Sequence, residues 1–161
     1  MRRGLRALHT MGIAAALLLA MSAPALAAEE LQDVMDGRVS GVSVEVEGTG
    51  GYFGPCLEAR FDNTSGQTVQ VENPVGLRLV PSVENQQTMV TAGGNVIDVP
   101  PGESSEYINA FCGEYHDHEP ERSVYFETDG FVKGELLETL QRIAETDSQS
   151  TLNAQWAVWF H

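Results

Sequence analysis

The sequence predicts a mainly β fold, an antiparallel immunoglobulin-like sandwich with one C-terminal amphipathic helix. Three observations predict it. Val42, Val44 and Val46 alternate with Ser43, Glu45 and Glu47, the period of two that marks a strand with one buried face. Short runs of the same kind recur down the chain with Gly, Pro and Asn between them, as in antiparallel sandwiches. Only late do apolar residues fall at spacings of three and four.

The chain opens with Arg2, Arg3 and Arg6, continues through an apolar stretch from Met11 to Met21, and reaches Pro24 before Ala25, Leu26 and Ala27. A basic start, an apolar middle and a small-x-small cleavage site make residues 1–27 a cleavable export signal. The apolar run is too short for a membrane anchor, and Glu29 and Glu30 follow it closely. Arg2 and Arg3 also admit export by the twin-arginine route. The mature protein is therefore expected in the periplasm or secreted, with no membrane insertion after cleavage. Residues 28–38 form an acidic N-terminal segment, and residues 39–161 form a single β-sandwich domain.

After the first strand, Thr49 to Gly51 turn the chain, and Leu57, Ala59 and Phe61 alternate with Glu58 and Arg60 in a second strand. Asn63 to Gly66 turn it again; Asn63-Thr64-Ser65 is formally a glycosylation sequon, but these residue types already suit a turn. Val69 and Val71 resume the pattern, a turn is expected at Asn73 to Gly76, and Leu77 with Leu79 makes a short strand stopped by Pro81. Met89 with Val90, and Val96 to Val99, read as two strands separated by Ala92 to Asn95. Pro100 to Gly102 lead into a strand over about Ser105 to Cys112, and another is expected around Val124 to Phe126.

The helix is expected over Gly134 to Glu145, where Leu136, Leu137, Leu140, Ile143 and Ala144 share one face. In the last segment, Leu152, Trp156 and Trp159 fit a helix, while Ala154, Trp156, Val158 and Phe160 fit a strand. The strand is favoured because Trp and Phe are good strand formers, with the tryptophans read as core or edge-covering aromatics.

Once the signal's three arginines are removed, six basic residues face 23 acidic ones, a net charge of about −17. Such a surface repels nucleic acid and anionic lipid. No nucleophile elbow, His-Glu-x-x-His helix, phosphate loop or EF-hand spacing is present, so the reading is of a binding or structural module rather than an enzyme. Its partner, an unknown protein or small ligand, is not specified, and no cofactor is required.

Cys56 and Cys112 are the two cysteines, and an even pair in an exported chain is most simply a disulfide. A second reading makes Cys112, His116 and His118, with Glu114, a zinc or copper site, because thiolate, imidazole and carboxylate groups fall close together. A third begins at Gln155, Ala157 and Trp159. This Gln-x-Ala-x-Trp pattern resembles the motif near the end of bacterial thioester domains of the TQXA type, found on cell-surface adhesins, with Ala154 where that family has threonine. The resemblance covers about six residues. It implies an internal thioester between Gln155 and a cysteine, Cys112 being the candidate, and hence covalent attachment to a surface amine.

Overall fold

The computed structural model describes residues 27–146 and 148–161. The export-signal reading of residues 1–27 lies outside the described residues except for Ala27. In chain order the elements are β1 (Glu29–Glu30), α1 (Leu31–Met35), β2 (Val42–Gly48), β3 (Phe53–Asn63), β4 (Val69–Pro81), β5 (Met89–Val99), β6 (Gly102–Cys112), β7 (Phe126–Phe131), α2 (Glu135–Glu145) and α3 (Leu152–Trp159). The fold is mainly β, as expected, with a few short helices. Among the described residues no helix is long and apolar enough to cross a membrane.

The described strands form one curled sheet in the order β1-β4-β5-β6-β3-β2, with β7 also paired to β4. An immunoglobulin-like sandwich would divide them between two sheets. Bulges in long strands explain the difference. Where turns are expected at Asn73 to Gly76 and Ala92 to Asn95, the chain bends but keeps pairing, so four expected strands merge into β4 and β5. The β4–β5 register slips between Asn73 and Val75 and again between Val75 and Arg78. Such bulges bend and twist a strand without ending it. Gly93 makes the bend feasible: its φ is +71°, and an added Cβ would lie 2.3 Å from Val75 Cγ2.

Curling brings the two ends of the sheet together. Gly48 N donates to Val124 O at 2.9 Å and Ser123 N donates to Gly48 O at 3.0 Å, joining the end of β2 to the residues before β7. On β4, the parallel β1 pairs at Val71 and Glu72, and the antiparallel β7 pairs from Leu77 to Pro81. Strand edges that would otherwise offer free N–H and C=O groups are thereby covered.

Period-two alternation then sorts side chains into two clusters. Leu57, Phe61, Leu77, Leu79 and Ile108 fill the inside of the curl, joined by Ala110 and Cys112. Phe111, with Val90 and Ala92, points outward and packs beneath Leu140 and Ile143 of α2 and Ala154 and Val158 of α3. Two helices thus cover one outer patch of the sheet near the end of β6. The acidic segment 28–38 is more than a lead-in: Leu31 and Val34 of α1 are buried within the inner cluster.

Helix α2 lies where its period places it, with Glu135 and Glu138 in the first turn and Arg142 in the last, a charge order that complements the helix dipole. The strand expectation for the final segment is overturned by α3. Thr151 caps it by accepting the Ala154 N–H at 3.2 Å. Ala154, Gln155 and Val158 are buried while Trp156 and Phe160 are exposed, so the alternate-residue face does not exist. The strand expected around Val124 to Phe126 starts later, at Phe126. Asn63 is buried, its Nδ2 donating to Gln67 O and Val99 O at 2.8 and 2.9 Å, so the sequon asparagine is a turn fastener.

Replacing the fully buried Leu31 by Ala is expected to cost about 2–5 kcal/mol of unfolding free energy. Chemical denaturation measures this, and a loss under about 1 kcal/mol would show that α1 is peripheral to the core.

Candidate functional site

The disulfide expected between Cys56 and Cys112 is absent: both are free and buried. The strand register gives the reason. Pro55 faces Asn109 and Leu57 faces Ile108, so Cys56 sits opposite a point three to four residues along β6 from Cys112. That is roughly 10 Å of strand, whereas a disulfide requires Cα atoms within about 7 Å. Instead Cys56 Sγ donates to Ala110 O at 3.4 Å, and Cys112 Sγ lies 3.7 Å from Met89 Sδ. Burial is the main cause that pushes the Cys56 thiol up to about 12 and also raises Cys112 above its ordinary range. Both are neutral thiols at physiological pH, unsuited to attack or to metal binding as thiolates.

The zinc or copper reading needs Cys112, Glu114, His116 and His118 to converge. Cys112 is wholly inside, whereas His116 and His118 are exposed on the following loop. Glu114 turns back to β5, its Oε2 accepting the Thr88 N–H at 2.7 Å. Among the described residues no group of three or more His, Cys, Asp or Glu is placed to hold a metal ion.

Gln155 and Cys112, the pair implied by the thioester resemblance, are brought together, but through the main chain. Gln155 is fully buried; its Nε2 donates to Cys112 O at 2.9 Å and its Oε1 accepts from Cys112 N at 3.0 Å. Both ends of the carboxamide are used as an amide uses them, while the sulfur faces Met89. The Cys112 N–H is shared, since it also donates to Tyr52 O at 3.0 Å. The main chain of one residue therefore fixes α3 and the residue preceding β3 together.

That junction orders an aromatic cluster. Tyr52 and Trp159 lie nearly parallel, 9° between planes at 6.4 Å, while Trp156 meets Trp159 at 88° and 5.5 Å. Tyr115 contacts Trp159 at 76° and 5.1 Å, and Phe160 stacks on Trp156 at 12° and 5.5 Å. These rings are far from hidden: Tyr52, Tyr115, Trp156 and Phe160 are 36, 49, 43 and 64 % exposed. Tyr52 and Trp156 also border a pocket of about 270 Å³, lined by Tyr52, Gln87, Glu119, Leu152, Trp156 and Trp159. Gln87 is only 4 % exposed; its Nε2 donates to Asp117 O at 2.9 Å, but its Oε1 has no partner, and neither does Trp159 Nε1.

Sequence reasoning missed this site because it is assembled from the residue before β3, the segment before β5, the loop after β6, and α3. The available signal was Trp156, Trp159 and Phe160 at helical spacing in so few residues, more aromatic surface than a single-faced helix can bury. A larger concavity, about 790 Å³, lies on the outer face of β2, β3 and β6. Its central Arg60 is already paired with Glu47 and Glu58. Comparison with known proteins finds no matching family model, no matching curated protein and no matching solved structure.

Replacing Gln155 by Ala strands a buried Cys112 carbonyl and loosens α3; denaturant melts are expected to show a loss of about 1–3 kcal/mol, with tryptophan emission shifting to the red. The thiols set an alkaline limit. Below pH 9, their ordinary value, both states keep their protons and stability is flat with respect to them. Above it the unfolded chain ionises first, so stability falls by about 1.4 kcal/mol per pH unit per thiol. For Cys56 the fall continues to about pH 12. Unfolding free energies across this window should therefore decline less steeply in Cys56→Ala than in the parent.

Proposed function

We propose that the protein is an exported, non-enzymatic binding module, periplasmic or secreted, whose small ligand is held by the aromatic pocket beside α3. The observation that carries this reading is a set of half-exposed aromatic rings whose supports converge on the Cys112 peptide. Exposed aromatic surface costs a protein solubility and usually marks a binding site. Aromatic side chains held in place before binding lose little conformational freedom when a ligand arrives. Unpartnered Gln87 Oε1 within the lining adds a polar group unsatisfied in the free protein. For export, the supporting fact is that β1 begins at Glu29, directly beyond the small-x-small site at Ala25 to Ala27.

The chain has two tryptophans, both in this cluster, so its tryptophan emission reports on the pocket alone. A panel of glucose, N-acetylglucosamine, betaine and choline is expected to contain at least one compound giving a saturable change. Trp156→Ala, at an exposed position, should abolish that change with the circular dichroism spectrum retained. A panel wholly without effect would overturn the proposal.

A further inference from the structure

The structure assigns a ligand class to this pocket: a small organic cation of the substituted-ammonium type, taken up as a free solute. This inference rests on the binding-module reading and concerns the same site. Ring geometry is the first argument. A sugar stacks on one extended flat platform, whereas here Trp156 stands at 88° to Trp159, and Tyr52 runs parallel to Trp159. The lining rings therefore offer no single platform of that kind, while a compact cation within about 6 Å of any one ring face is attracted by it.

Charge is the second argument. Glu119 is the sole charged side chain in the lining, and no Lys, Arg or His lines the pocket. The loop that carries Glu119 adds Glu114, Asp117 and Glu121, so the surroundings favour a positive occupant. Among the lining groups, the buried Gln87 Oε1 presents the negative end of an amide without a partner. A cation is attracted by both oxygens, whereas an anion would meet only Trp159 Nε1 as an unpartnered donor and would be repelled by Glu119. Size is the third. At about 270 Å³ the pocket falls below the roughly 300–1,000 Å³ of sites for drug-sized ligands. A trimethylammonium-bearing solute fits such a volume, and an oligosaccharide or peptide does not.

The test titrates the purified protein with tetramethylammonium, choline, N-acetylglucosamine and neohexyl alcohol, the uncharged carbon isostere of choline, following tryptophan emission. Choline and tetramethylammonium are expected to saturate the signal, with the alcohol at least about tenfold weaker. Glu119→Gln, a change at an exposed loop position, should weaken choline several-fold and leave the alcohol unchanged. If the alcohol or the sugar binds as tightly as choline, the cation inference falls while the module reading stands. If no probe binds, the cation inference falls, and the module reading falls with it when glucose and betaine are also without effect. Sedimentation with phosphatidylcholine vesicles, together with no response to free choline, would overturn the free-solute assignment in favour of a lipid surface.

Discussion

Cys112 offers one peptide N–H and one carbonyl, and Tyr52 from the approach to β3 and Gln155 from α3 both converge on them. At this position the sheet ladder ends and helical packing begins. The Cys112 side chain belongs to the inner cluster, and its neighbour Phe111 belongs to the outer one beneath α2 and α3. A buried amide that bonds both main-chain groups of one residue resists sliding and rotation, because either motion leaves a donor or an acceptor dry and unpaired. The aromatic surface consequently behaves as part of the sheet rather than as a mobile tail.

The same economy explains why the chemistry anticipated at these residues does not assemble. Cys56 is expected in a disulfide and Cys112 with Gln155 in a thioester, and each is placed where that chemistry is suppressed. The thiols lie in an apolar interior that holds their protons, and the carboxamide is occupied at both ends. His116 and His118, the imidazoles of the expected metal set, are exposed while Cys112 is buried.

Legibility in the sequence followed the range of the interactions involved. The alternation of Val42, Val44 and Val46 and the helical stripe of Leu136, Leu140 and Ile143 are local, and both appear where the pattern places them. The turn residues at Asn73 to Gly76 and Ala92 to Asn95 are also local signals, but they bend β4 and β5 instead of ending them, because long-range pairing outweighs turn preference. The disulfide inference used the compartment, which carries no information about register. The final segment satisfied two periodicities, and the choice was settled by the Thr151 cap and by Gln155, whose partner is 43 residues away. The pocket was invisible for the same reason, since Tyr52, Gln87 and Glu119 come from separate parts of the chain.

The sharing of β4 between β1 and β7 has a kinetic side. One edge of that strand receives the first residues of the described chain and also a segment that lies just before α2, and the curl closes only when residues 123 to 125 reach the end of β2. The β2–β3 and β4–β5 hairpins join sequence neighbours, but the β3–β6 and β1–β4 ladders span long separations and carry a loop-closure cost. The curl of such a chain closes only when nearly its whole length is available. Shape in such a fold is decided by the last strand to arrive rather than by the first to form.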